Sequence, residues 1–241
     1  MRGHRFAALT LVLTVSACGP GGNAQPADTV PPLPRSTLSA QVPAVDDAAL
    51  AKALPDQQEL GFGWNPITDS GRIDVIAGYA QGTIKDHCPW ADAARAGLTD
   101  AGAPHLASTA FLRREHETIS ISVTVDAPAS AADHLAYLRR VVEHCGTVAL
   151  TAEPGVSGQY SLAPRPAPKL DADDVVAYTL KIELLSTPSP PAARTSESSE
   201  EACARAGAVV VCVQSANVTG LVDPLLTRTL QRARATPGLA S

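Results

Sequence analysis

Cys18 divides this chain more sharply than any other residue. Before it stand Arg2 and Arg5, an apolar run from Phe6 to Val15, and the small residues Ser16 and Ala17. A basic start, an apolar stretch and a small-residue end make a secretory leader. The run is about half the length that a membrane span needs. A buried core helix would not open on two arginines and break at once into Gly19-Pro20-Gly21-Gly22. The leader directs the rest of the chain out of the cytoplasm, where thiols oxidise. It thereby constrains the fold through the four other cysteines, Cys88, Cys145, Cys203 and Cys212.

Val15-Ser16-Ala17-Cys18 is a lipobox, the mark of bacterial lipoprotein precursors. In such precursors residues 1–17 are removed and Cys18, acylated with chains such as palmitate, becomes the first residue. The competing reading is an ordinary secretory leader followed by a coincidental cysteine. A single acyl chain holds a protein only marginally, whereas two anchor it stably. The expected partner is therefore the membrane itself, reached through a lipid on the extracytoplasmic face.

With Cys18 set aside, an even number of cysteines remains, as expected of disulfides. Four thiols allow three pairings, which spacing does not separate. The favoured pairs are Cys88–Cys145 and Cys203–Cys212. On the chain-entropy model these restrict the unfolded chain by roughly 4 and 2.6 kcal/mol, for loops of about 57 and nine residues. The rival is a zinc site built from His87-Cys88 and His144-Cys145. Adjacent residues point in different directions and lack the spacing that lets one turn present two ligands, so no metal and no cofactor is expected.

Charge excludes one class of partner. The full chain carries 19 basic and 24 acidic residues; without Arg2 and Arg5 the balance is 17 to 24, or −7. An acidic chain without a basic cluster and with few aromatics is no nucleic-acid binder. Residues 18–44 hold the glycine-proline break and Pro26, Pro31, Pro32, Pro34 and Pro43, and read as an extended tether. Residues 45–235 are long enough for one domain.

Within that domain, Asp46 or Asp47 is placed to cap a short helix that stops at Pro55. Leu60-Gly61-Phe62-Gly63-Trp64-Asn65-Pro66 reads as a plug over the core or a binding lip, the plug being favoured. Alternation predicts strands over 72–84, 106–114 and 117–126, the last with Ile119, Ile121, Val123 and Val125 on one face and Ser120, Ser122 and Thr124 on the other. Helical spacing follows Pro89, through Trp90, Ala94 and Leu98. It recurs through Leu135, Leu138, Val141, Val142 and Cys145, behind a capping box at Ser130 and Asp133. Strands are expected over 148–152, 175–185 and 207–218, with a last helix from Asp223-Pro224. Residues 186–201, polar and proline-broken, read as a mobile loop. Hairpins alternating with helices predict an α+β fold, a mostly antiparallel sheet with helices packed on one face and braced by disulfides.

Three stretches together resemble the extracellular sensor domain of mycobacterial PknH-type serine/threonine kinases, a module also found in stand-alone actinobacterial lipoproteins. They are Asp86-His87-Cys88, the helix from Ser130 through Tyr137 to Cys145, and Cys203-Ala204-Arg205-Ala206 leading into Val209-Val210-Val211 and Asn217-Val218-Thr219. The fourth cysteine, at 212, falls earlier than that pattern has it. The resemblance implies an α+β domain with a ligand cleft, and supplies neither catalytic residues nor a ligand.

No nucleophile elbow, Walker loop, HExxH or Rossmann fingerprint is present. Ser120, His116 and Asp133 could be assembled on paper into a triad, but their placement gives no reason for them to converge. The expected function is non-catalytic binding of a small molecule, lipid or envelope component, at a face near Tyr79, Phe111 and Tyr178. A protein–protein accessory module and a hydrolase of unrecognised type are the alternatives.

Overall fold

The computed structural model describes residues 34, 36–67, 104–114, 117–153, 156–186 and 193–239. Cys18, Tyr79, Cys88, His116 and the elements expected over 72–101 lie outside them. The described elements are helices α1 (Asp47–Ala53), α2 (Gln57–Leu60), α3 (Pro128–His144) and α4 (Val222–Ala235), and strands β1 (Asn65–Pro66), β2 (His105–Arg113), β3 (Glu117–Val125), β4 (Thr147–Glu153), β5 (Val156–Pro164), β6 (Asp174–Ser186), β7 (Ala193–Ala206) and β8 (Val209–Ala216).

All eight strands join one sheet in the order β1-β2-β3-β8-β7-β6-β5-β4. Every pairing is antiparallel, so the α+β class and antiparallel sheet expected above are what the chain forms. The β7–β8 hairpin turns on Gly207 and Ala208, with Ala206 opposite Val209. Gly207 stands at φ +61°, the conformation that a two-residue hairpin asks of its first loop position and that glycine adopts without a Cβ clash.

Two cores form, one on each side of the sheet. On one side Ile119, Ile121, Val123 and Val125 meet Val209, Val211 and Val213, and α1 and α4 cover them with Leu50, Leu225, Leu226 and Leu230. On the other, Leu135, Leu138, Val141 and Val142 of α3 pack on Leu162, Val176, Leu180, Cys203 and Val210. The helices thus take both faces rather than the one expected. The cause is alternation within β6 and β8. Val176 and Ala177, like Val210 and Val211, are all buried, so both faces of the central strands carry apolar side chains and each needs a cover.

Two further differences concern strands. Residues 193–201, expected in a loop, form the outer half of β7, paired with β6 from Ser186↔Ala193 to Tyr178↔Glu201. Ser196, Glu197 and Ser198 are exposed, so this half-strand shows no hydrophobic period and is held through its backbone ladder. β5, polar and ending at Pro164, is held in the same way by β6.

At the helix ends, Asp46 caps α1, its carboxylate accepting from the Ala48 N–H at 3.0 Å. α3 has no side-chain cap; Ser130 instead donates its hydroxyl to Asp126, at 2.6 Å. The free N–H of Ala129, in the first turn, is taken by the carbonyl of Ser39, at 2.9 Å. The last stretch before the domain therefore lies against it. Arg232 of α4 pairs with Glu59 and donates to the Leu54 carbonyl at 2.7 Å, fastening α1 and α2 to α4.

Candidate functional site

The face carrying α3 is divided by chemistry. α3 packs on β5, β6 and β7 and reaches β8 less. Under it the side chains are apolar; beside it they are not. Across four adjacent strands, register places Ser120 opposite Gln214, Gln214 opposite Glu201, and Glu201 opposite Tyr178. Thr118, Ser122 and Thr124 flank this row on the same face of β3, since side chains of one strand share a face at every second residue. Ser199 does so on β7.

All of these except the buried Tyr178 are partly exposed. Neither Thr118, Ser120, Ser122 and Thr124 nor Gln214 makes a side-chain hydrogen bond among the described residues. They are open to solvent rather than orphaned. The described side-chain polar atoms that are both fully buried and unpaired belong to Trp64, Arg165, Arg205 and Thr229. The result is a patch of hydroxyl and amide groups whose bonding capacity is unused among the described residues.

Glu201 lies at the inner end of that patch. Although the residue keeps some surface exposure, the atoms packed around its carboxyl shield it from water and push it above the usual range, which the hydrogen bond donated by the Tyr178 phenol partly offsets. The same burial, together with the Glu201 charge, raises the Tyr178 phenol well above its ordinary value, and Tyr137 of α3 adds to the effect. Glu201 Oε1 lies 3.9 Å from Cys203 Sγ. A disulfide sulfur has no hydrogen to donate, so this is a van der Waals contact. No arginine, lysine or histidine among the described residues forms an ion pair with Glu201.

Cys203 and Cys212 are joined by a disulfide across the β7–β8 pair, Cα to Cα 4.1 Å, on the same face and two residues along each strand from Glu201 and Gln214. Cys145 is also disulfide-bonded, at the C-cap of α3.

Of the three residues singled out for binding, Tyr178 lines this face. Phe111 is not brought to it: the side chain is 2 % exposed in the core on the opposite side of the sheet, with Ile119 and Trp64. Its odd-numbered position in β2, opposite Ile119, dictates that face. In the aromatic-glycine loop, Trp64 is the buried plug, with the Arg113 guanidinium 4.7 Å over its ring. Phe62 stands wholly exposed between Gly61 and Gly63, both at φ +91°. Glu201, Gln214 and the β3 hydroxyls were absent from the sequence reading of the site. One signal for them is there: a lone glutamine just past the apolar run Val209–Val213, and the hydroxyl-bearing alternate face of β3.

On the same face, His134 sits close to Asp126; burial lowers its imidazole, which that carboxylate partly counteracts. Among the described residues no three histidine, cysteine or acidic side chains gather as a metal site would need, and no helix is long and apolar enough to cross a membrane.

No protein-family model matches the chain, and no curated protein matches it. Solved structures give remote likenesses. One is the extracellular domain of PknH from Mycobacterium tuberculosis, of the sensor-domain family that the sequence resembles, at 14 % identity and TM-score 0.44, over 79 % of this chain and 96 % of that one. Another is an uncharacterised protein from Mycobacterium smegmatis, at 10 % identity and TM-score 0.42, over 78 % and 96 %.

Proposed function

We propose that this chain is a lipid-anchored extracytoplasmic protein whose domain binds a small polar ligand without transforming it. The observation that carries the reading is the row Ser120–Gln214–Glu201–Tyr178, whose β3 and β8 groups have no partner among the described residues. Polar groups with unused bonding capacity, set beside an apolar roofed region, are the kind that fix a small ligand's orientation. The Cys203–Cys212 disulfide supports an oxidising compartment, and the leader ending at Cys18 supports the anchor.

A partner-docking role finds less support. The exposed large apolar side chains among the described residues are Leu38, Phe62 and Leu106; Phe62 lies near the Arg113 end of β2, Leu106 near its start. Phe62 is separated from Leu106 by the length of a strand, so the two share no patch.

The test is native mass spectrometry of the protein extracted from its own membrane. An acyl mass on Cys18, lost with release from the membrane in Cys18→Ser, is the expected result for the anchor. A small polar molecule retained by the wild type and absent from Gln214→Leu is the expected result for the site. An unmodified Cys18 would refute the first part. Identical adduct spectra for wild type and Gln214→Leu would refute the second.

A further inference from the structure

We infer that the ligand of this patch is a neutral polyhydroxylated molecule, a sugar or the exposed end of a glycan, held by hydroxyl, amide and carboxylate groups across β3, β8 and β7. The inference deepens the binding reading above and rests on it. Its argument is the inventory of bonding groups. Thr118, Ser120, Ser122 and Thr124 each offer a hydroxyl that both donates and accepts, Gln214 offers both a carbonyl and an amino group, and Glu201 accepts. Only a ligand whose own groups also do both can satisfy the whole row.

Other ligand classes fail on specific grounds. An acyl chain would cover these groups without pairing them, and a polar group buried unpaired costs more than its hydrogen bond is worth. An anion would meet Glu201 and find no cation in the row. Arg139 on α3 pairs with Asp174, and Arg205 with Asp173, while also donating to the Gly207 carbonyl. An amine suits Glu201 but only donates, leaving the β3 hydroxyl protons without acceptors. Size agrees with a sugar as well. Neighbouring strands lie about 4.8 Å apart, so the row from Ser120 to Tyr178 spans ~14 Å, and Thr118 to Ser122 adds a second dimension of roughly 13 Å along β3. That area accepts several hydroxyl-bearing carbons at once.

The experiment is a thermal-unfolding titration of the full chain with three classes of probe. The sugars are glucose, mannose, maltose and N-acetylglucosamine; spermidine is the amine and decanoate the apolar probe, each to about 50 mM. A ligand that binds only the folded state raises the midpoint in a saturable way. At least one sugar is expected to do so, and Ser120→Ala/Ser122→Ala, which deletes two half-exposed hydroxyls without opening the core, should need about tenfold more of it. Spermidine producing a saturable rise that this variant weakens, with every sugar silent, would overturn the sugar assignment and leave the polar-ligand reading standing, whereas such a rise from decanoate alone would overturn both. Silence from all three classes, or rises that the variant leaves unchanged, would overturn both.

Discussion

Replacing both Cys203 and Cys212 by alanine removes a cross-link between two residues that already oppose each other in the β7–β8 ladder. The native state has little to lose geometrically, because the hairpin is held by its own backbone pairs on either side of the bridge. The effect should fall on the unfolded chain. A closed loop of about nine residues restricts it by roughly 8.6 cal/mol/K on the chain-entropy model, or ~2.6 kcal/mol at 25 °C. Cys203 is fully buried, so trimming its sulfur adds a packing loss of about 0.8 kcal/mol, the scale of one buried methylene. The two effects together come to ~3.4 kcal/mol. For a domain of this size each kcal/mol moves the midpoint by about 2–4 °C, so Tm should fall by roughly 7–14 °C. Urea unfolding followed by circular dichroism, alongside calorimetry, measures both quantities. Substitution is preferable to reduction, which would also open the disulfide of Cys145. A loss under about 1 kcal/mol would mean that the unfolded chain keeps the hairpin closed unaided, refuting the entropic argument. A loss above about 6 kcal/mol, well beyond the loop-closure scale, would place the bridge's role in the native state.

Glu201→Gln should alter the pH dependence of stability in a defined direction. The folded-state carboxyl titrates above its unfolded value of 4.5, so between the two the unfolded chain binds fewer protons and stability falls as pH rises. The variant lacks that penalty. It should gain on the wild type as pH climbs above about 4.5 and hold the gain once the folded-state carboxyl is fully ionised, and a stability difference that is flat or of opposite slope would contradict the burial assigned to Glu201. Leu226→Ala, at a fully buried position of α4, should cost about 2–5 kcal/mol. Leu106→Ala, 61 % exposed, should stay within about 0.5 kcal/mol of wild type, and equal costs in denaturant unfolding would undo the assignment of the two surfaces.

What the sequence made legible tracks the strength of its periodicities. β3, α3 and α4 are readable because one face is apolar at a regular interval, and Ile119 to Val125 or Leu135 to Val142 carry that interval without interruption. The distribution of helices over two faces was harder to read, since it depends on noticing that Val209, Val210 and Val211 are consecutive and that β8 is therefore central. The outer half of β7 has no such signal. Serines and glutamates there follow one another with no apolar period, and only β6, a long apolar strand with an edge to fill, gives them an ordered place. The site was lost for that same reason. Glu201 ends a stretch that composition assigns to a loop, and its neighbours Gln214 and Ser120 come from strands far apart in sequence, joined only by register. Phe111 misled because an aromatic in an amphipathic strand marks the core as readily as it marks a site.

The bond from Ala129 to the Ser39 carbonyl has a mechanical consequence. On the reading that Cys18 carries lipid, the stretch between lipid and domain runs from Gly19 to Leu38 and not to Ala44. That is about 20 residues, ~60 Å if drawn out at about 3.1 Å each. The clamp also fixes the point of attachment, at the end of the sheet where β3 finishes and α3 begins. Tension on such a lipid would reach the domain through the first turn of α3, at the opposite end of β3 from the Phe62 loop.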